Sequence, residues 1–270
     1  MSEFLLAIDV GNSRIKFALF DYCDCQSMRM LPRCLQTTTV ALNEKIPYEE
    51  IRTWSHNSNH SLRAIIASSN TKGLEMVLSS WSATDWPLPT PIDDPARFPL
   101  VIQVDEPNKV GIDRLLNAVA ANVIRPKDQP AIIIDIGTAT TVDYLSSDGD
   151  FEGGAILPGF HLFAQSLHHY TALLPLVSIN ELAKIPYTAE AREPLGRSTR
   201  QAIKSGLYWG QLGAIKELIA RLESACQNPQ SAYLLLTGGA APLIESNLPD
   251  VRHEPHLVQQ GLALVYKYFQ

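Results

Sequence analysis

Two acids stand at the ends of apolar runs. Asp9 closes the apolar part of FLLAIDVGNSRIK, and Asp135 follows three isoleucines in AIIIDIGTATTVDY. Each is followed two positions later by a glycine, Gly11 or Gly137, and then by small polar residues. A glycine after a strand lets backbone N–H groups approach a ligand closely. Asn12 and Ser13 add side-chain donors to the first turn, and Thr138, Thr140 and Thr141 add hydroxyls to the second. Asp9 offers a hard oxygen for Mg²⁺, an ion that keeps several waters and takes few protein carboxylates. Such a set suits a polyphosphate and its metal. Plain turn chemistry explains Gly-Asn-Ser equally well, and β propensity explains the threonines. Asp135 is harder to dismiss. A carboxylate buried unpaired costs on the order of several kcal/mol, so it requires a cation or a set of donors.

The two pieces echo each other. LLAIDVGNSRIKFAL aligns with AIIIDIGTATTVDYL with the acids 126 positions apart, nearly half the chain. Chance similarity of two strand-turn-strand pieces is one reading. A duplicated fold whose halves face each other across a cleft is the other. Neither G-x-x-x-x-G-K-[ST] nor G-x-G-x-x-G after a strand is present, so a phosphate site here belongs to another architecture.

A third constellation is Val110-Gly111-Ile112-Asp113-Arg114, directly before a predicted helix. Asp113 as a simple helix cap is the ordinary reading. Arg114 fits it poorly, because a cation in a first turn opposes the helix dipole. An acid that accepts a hydroxyl proton, beside a guanidinium that holds an anion, suits a small substrate. Two glycine clusters remain, GGAILPG at 153–159 and TGGAA at 237–241. The first reads as a close backbone approach leading into a helix. The second could let an adenine or ribose lie on bare backbone. Each is also ordinary turn chemistry.

The elements that must carry these residues follow from periodicity and punctuation. Strands are predicted at 4–10, 14–21, 63–68, 131–136, in TVDYLSS and at 233–239, with DGDFEGG as a turn. Helices are predicted at 72–82, 115–124, 159–172, 198–225 and 256–268. Pro87, Pro89, Pro91, Pro95, Pro99 and Pro107 forbid a long helix between 84 and 107. The mixture indicates an α/β protein.

With 270 residues, 46% of them hydrophobic, the chain can bury one large core or two ordinary ones. Its net charge of −6 argues against nucleic acid or an anionic membrane as the main partner. The start, MSEFLLAIDV, has an acid where a signal peptide needs a base, and no apolar run nears a bilayer span. A cytoplasmic location is the expectation. Cys23, Cys25, Cys34 and Cys226 lack histidines at zinc-ligand spacing and read as reduced thiols.

Taken together, DVGNSRIK, GIDR, DIGTATTVD, GGAILPG, TALLP, GRSTRQAIKSG and TGGAA, in this order over almost the whole chain, resemble the type III pantothenate kinase family. That family belongs with the acetate and sugar kinases, actin and the heat-shock chaperone ATPases. The resemblance implies two RNase H-like (actin-like ATPase) domains, 1–115 and 116–270, with mixed sheets flanked by helices and an ATP cleft between them. It implies ATP-dependent phosphorylation of pantothenate to 4′-phosphopantothenate, the first step of coenzyme A biosynthesis. By similarity, Asp9, Val10, Gly11, Asn12, Ser13, Arg14, Ile15 and Lys16 form the first ATP loop, with Mg²⁺ near Asp9 through water, and Thr138 contacts ATP from the second. Asp113 is the implied proton acceptor, and Gly111, Ile112, Asp113 and Arg114 cradle pantothenate. Asp135 is the implied ligand of K⁺ or NH₄⁺. Thr199 is expected to reach pantothenate in the neighbouring subunit, which implies a homodimer with the active site near the interface.

One position departs from the family. A tyrosine that lines the pantothenate site, followed by Asn-Pro, is replaced here by Val104 and by Glu106 before Pro107. Val104 therefore stands among the substrate-binding candidates as a change of pocket shape. A kinase for another small hydroxy compound, and a nucleotide-binding regulator without turnover, are the alternative readings.

Overall fold

The computed structural model describes residues 3–25, 30–54, 61–81, 84–183, 193–226 and 230–270. By internal contacts the chain divides into two compact units, residues 1–125 with 256–270 and residues 126–255. The expected boundary at 115/116 falls inside a helix, and the last fifteen residues return to the first unit.

The first unit opens with β1 (Glu3–Val10), whose residues from Leu5 onward are all buried, as suits a central strand covered on both faces. A three-residue turn leads to the antiparallel β2 (Arg14–Asp21), then α1 (Tyr22–Cys25) and β3 (Cys34–Ala41), antiparallel to β2. After α2 (Tyr48–Thr53), β4 (Ser61–Ser68) lies parallel to β1. Asn70 then accepts from Gly73 N at 2.9 Å and so caps α3 (Thr71–Trp81), which matches the helix expected at 72–82 except that Ser82 lies outside the described residues. The two-residue β5 (Thr90–Pro91) completes a sheet of order β3-β2-β1-β4-β5. Single 3₁₀ turns at Pro95–Arg97 and Pro107–Lys109 interrupt the proline-rich stretch. The unit continues with α4 (Ile112–Ile124), which ends because Pro126 pushes Arg125 into an extended conformation, φ −64° and ψ 146°.

The second unit repeats the plan. Strand β6 (Ala131–Ile136) pairs antiparallel with β7 (Ala139–Leu145), and β7 with β8 (Phe151–Pro158). Then come α5 (Phe160–His169), α6 (Ile179–Ala183) and α7 (Thr199–Ala225). Strands β9 (Tyr233–Thr237) and β10 (Arg252–His253) add in parallel beyond β6. The order β8-β7-β6-β9-β10 is that of the first sheet with β6 in the place of β1. The chain then re-enters the first unit with α8 (Leu257–Val265), every residue of which is buried.

Four strands have no counterpart among those expected: the two-residue β5 and β10, and the longer β3 and β8. The segment CLQTTTVA is mostly polar and half exposed, so β3 carries little apolar signal. DGDFEGG reads as a turn, yet β8 begins within it at Phe151. Its glycines serve close strand approach instead: a Cβ on Gly154 would lie 2.1 Å from the Val142 carbonyl oxygen, and Gly153 takes φ +95°.

Each unit has its own core. In the first, Leu6, Ile8, Val10, Ile15, Phe17, Val77 and Trp81 pack together. In the second, Ile132, Ile134, Ile136, Val142 and Phe160 do so with Leu207 and Leu212 of α7. No helix among the described residues is long and apolar enough to cross a membrane.

Candidate active site

The first turn, residues 11–13, joins β1 to β2 and is closed by Gly11 N donating to Arg14 O at 2.9 Å. Asn12, Ser13 and Arg14 are exposed, as residues that meet a ligand must be. Val10 and Ile15 are fully buried in the core, so their side chains are packing groups and only their backbone lies in the loop. Asp9 and Lys16 are cross-strand partners, and Lys16 Nζ lies 3.6 Å from Asp9 Oδ2. The same oxygen accepts from Gln259 Nε2 of α8 at 3.4 Å. Asp9 is 8% exposed, so these donors offset the cost of burying its charge.

Asp113 lies in the first turn of α4, but Gly111 is the cap residue. The carboxylate turns back over the helix start. Its Oδ1 accepts from Arg114 N at 2.9 Å, and a Cβ on Gly111 would lie 2.7 Å from it. A side chain at 111 would have to push this carboxylate aside. Val104 is half buried and precedes the turn in which Lys109 Nζ meets Glu106 Oε1 at 2.6 Å.

In the second unit, Gly137 and Thr138 form a two-residue turn, both exposed, closed by Gly137 N to Ala139 O at 3.0 Å. This turn is one residue shorter than the first. Asp135 consequently faces Thr141 across the ladder, where Asp9 faces Lys16. Successive strand residues point to opposite faces. Thr140 is therefore fully buried on the core side, where its Oγ1 accepts from Gln211 Nε2 at 3.1 Å, and it cannot serve phosphates as the sequence suggested. Thr138, by contrast, is exposed in the turn.

Two glycines press backbone against this turn. Gly159, the cap residue of α5, donates its N–H to Thr138 O at 3.0 Å, and a Cβ there would lie 2.3 Å from Gly137 O. Gly238 follows β9 at φ +92°, and its Cβ would lie 2.5 Å from Asp135 Oδ1. The Asp135 carboxylate thus has the glycine backbone at 137 and 238 close beside it. Among the described residues no three His, Cys, Asp or Glu side chains gather as a metal cluster. Cys23, Cys34 and Cys226 are free thiols.

Thr199 is exposed at the first position of α7. Ser198 is the cap there, accepting from Gln201 N at 3.3 Å while Gln201 Oε1 accepts from Arg197 N at 3.0 Å. Gln201 and Ser198 thus meet the capping demand, and Thr199 is not spent on it. Sequence reading missed Gln211 and Gln259. Their only signal was an amide within an otherwise apolar helical stretch.

The repeated sheet, with an acid at the end of each equivalent first strand, defines an actin-like ATPase fold. Solved structures share it: component A of the (R)-2-hydroxyglutaryl-CoA dehydratase of Acidaminococcus fermentans, 15% identical over the whole of both chains, superposes with a TM-score of 0.55. The activator of the 2-hydroxyisocaproyl-CoA dehydratase of Clostridium difficile, with bound ADPNP, is 13% identical over 99% of this chain and 94% of that one, with a TM-score of 0.50. Sequence comparison narrows the class. The family model described as type III pantothenate kinase matches residues 5–221. Proteins named type III pantothenate kinase are 30% identical over 97% of both chains in Caulobacter vibrioides and 31% identical over 100% of both in Dehalococcoides mccartyi. The chain belongs to the type III pantothenate kinase family.

Proposed function

We propose that this chain transfers the γ-phosphoryl group of ATP to the primary hydroxyl of pantothenate, giving 4′-phosphopantothenate and ADP at the entry to coenzyme A biosynthesis. Family membership supports the substrates. The observation that carries the chemistry is Asp113, an acid folded over Gly111 at a helix start beside Arg114.

In this reading the hydroxyl oxygen attacks the γ-phosphorus. Its bond to the β–γ bridging oxygen breaks, ADP leaves with the electron pair, and the hydroxyl proton passes to the Asp113 carboxylate. Arg114 holds the pantothenate carboxylate. The exposed turns at 11–13 and 137–138 bind phosphate oxygens, with Lys16 beside Asp9 as a further cation. Positioning and charge neutralisation supply most of the rate in such transfers. Asp9 would hold Mg²⁺ through water and Asp135 a K⁺ or NH₄⁺ ion, and both cations would offset negative charge on the phosphates.

Thr199 reaches pantothenate from the neighbouring subunit of a homodimer. Its exposure at the start of α7, together with the exposed Tyr170, Leu173 and Leu195 in the same unit, supports this arrangement. Val104 lies in the pantothenate pocket in place of the usual tyrosine.

The deciding experiment is ADP production with Mg²⁺ and K⁺, comparing pantothenate with a panel of sugars and hydroxy acids. Turnover with pantothenate alone is expected. Preference for another acceptor would reassign the substrate, and ATP binding with no turnover on any acceptor would make the chain a regulator. Sedimentation analysis tests the dimer.

A further inference from the structure

We infer that Gln259 is a positioning residue for the Asp9 carboxylate, an assignment that rests on Asp9 being the Mg²⁺-side acid. Helix α8 reads LVQQGLALV, apolar except for its two glutamines, and both are buried, Gln259 to 2% exposure and Gln260 to 8%. A buried amide without hydrogen bonds is costly, so each must have a local task. Gln260 Nε2 donates to Pro32 O at 3.1 Å, tying down the chain before β3. Gln259 Nε2 donates to Asp9 Oδ2. The amide must present its nitrogen there, because an ionised carboxylate only accepts.

Lys16 and Gln259 meet Asp9 in different ways. Lys16 is a third exposed and stands near the start of β2, just after the turn at 11–13. It can swing from Asp9 to a phosphate. Gln259 cannot follow, since α8 is buried on every face and is pinned by Gly261. A Cβ on Gly261 would lie 2.0 Å from the Leu116 carbonyl oxygen, so the backbones of α8 and α4 touch directly. Gln259 therefore keeps Asp9 in place after Lys16 has moved to the nucleotide.

Two variants test this. Gln259→Met keeps the volume and removes the donor, and Gln259→Asn keeps the amide one methylene too short. Loss of a hydrogen bond to a charged group predicts a rise of roughly 10- to 150-fold in the Mg²⁺ concentration for half-maximal rate. KM for pantothenate is expected to stay within about twofold, because its contacts are untouched. Circular dichroism and Tm confirm folding of each variant. Wild-type Mg²⁺ dependence in whichever variant folds would overturn the inference. So would parallel rises in Mg²⁺ requirement and pantothenate KM, the mark of general loosening. Asp9→Asn, assayed alongside, separates the layers. A crippled Asp9→Asn beside normal Gln259 variants removes only the Gln259 role, whereas unchanged Mg²⁺ dependence in Asp9→Asn removes the reading of Asp9 and this inference with it.

Discussion

Gly238 lays bare backbone against the carboxylate of Asp135, so close that a Cβ would stand 2.5 Å from Oδ1. The sequence alone made Asp135 an acid in need of compensation, and this contact shows that its immediate neighbour is main chain. The position at φ +92° belongs to glycine for backbone reasons as well. Gly238→Ala is expected to lose roughly 1–3 kcal/mol in urea unfolding, the usual penalty for forcing a side chain into a left-handed site. A variant with wild-type midpoint and slope would show that the strand end can shift cheaply.

The potassium-sized ion proposed at Asp135 has a kinetic signature. Replacing KCl by NaCl at equal ionic strength should reduce kcat to a small fraction, because smaller, more tightly hydrated Na⁺ fits a site of spaced oxygens poorly. Equal rates in the two salts would remove the cation from Asp135.

Asp113→Asn keeps the shape of the motif and removes the proposed proton acceptor. A fall in kcat of roughly 10²- to 10⁴-fold is expected, the range for a general base, with a much smaller change in the KM for ATP. Turnover near wild type in a steady-state assay would leave the reaction without its base.

Gly261→Ala tests the α4–α8 contact. Its methyl group would meet the backbone oxygen of Leu116 at 2.0 Å, and backbone cannot rotate away as a side chain can. Overpacking of this kind costs about 1–3 kcal/mol, so the denaturant midpoint should drop clearly. An unchanged midpoint would mean that the helices part without loss.

Acid stability reports on the start of α7. Glu181 of α6 is held down to about 2 from the ordinary 4.5, first by the Ser178 N–H it accepts and then by Lys204 and Arg200. A carboxylate whose pKa is lowered by folding stabilises the fold above its ordinary value and loses that contribution as protons return. Stability should therefore decline between pH 4.5 and about 2, and Glu181→Gln should flatten the curve in that window. Parallel curves for both proteins in chemical denaturation would show that the clamp has no net effect.

Most of the first-strand chemistry was legible from residue order. Apolar runs ending in Asp9 and Asp135 identified two equivalent strand ends, and the matching sheet orders bear out the duplication. The alignment at a constant spacing holds only to the glycines. The second turn is one residue shorter, so the partner of Lys16 by position in the sheet is Thr141, and only pairing register reveals it. The same register buried Thr140 with Gln211, which a row of threonines in sequence could not show.

Local patterning by itself determined the ends of β1 and β6, the turns that follow them, most of the helix ending at Ile124 and the family motifs, because each depends on neighbours a few residues away. Tertiary structure alone decided which distant groups stand beside the two acids. Asp9 is held by Gln259 from 250 residues later, and Asp135 is walled by Gly238 from another strand. Burial of a charge is settled by whichever groups the fold brings within hydrogen-bond reach, and that distance has no expression in linear order.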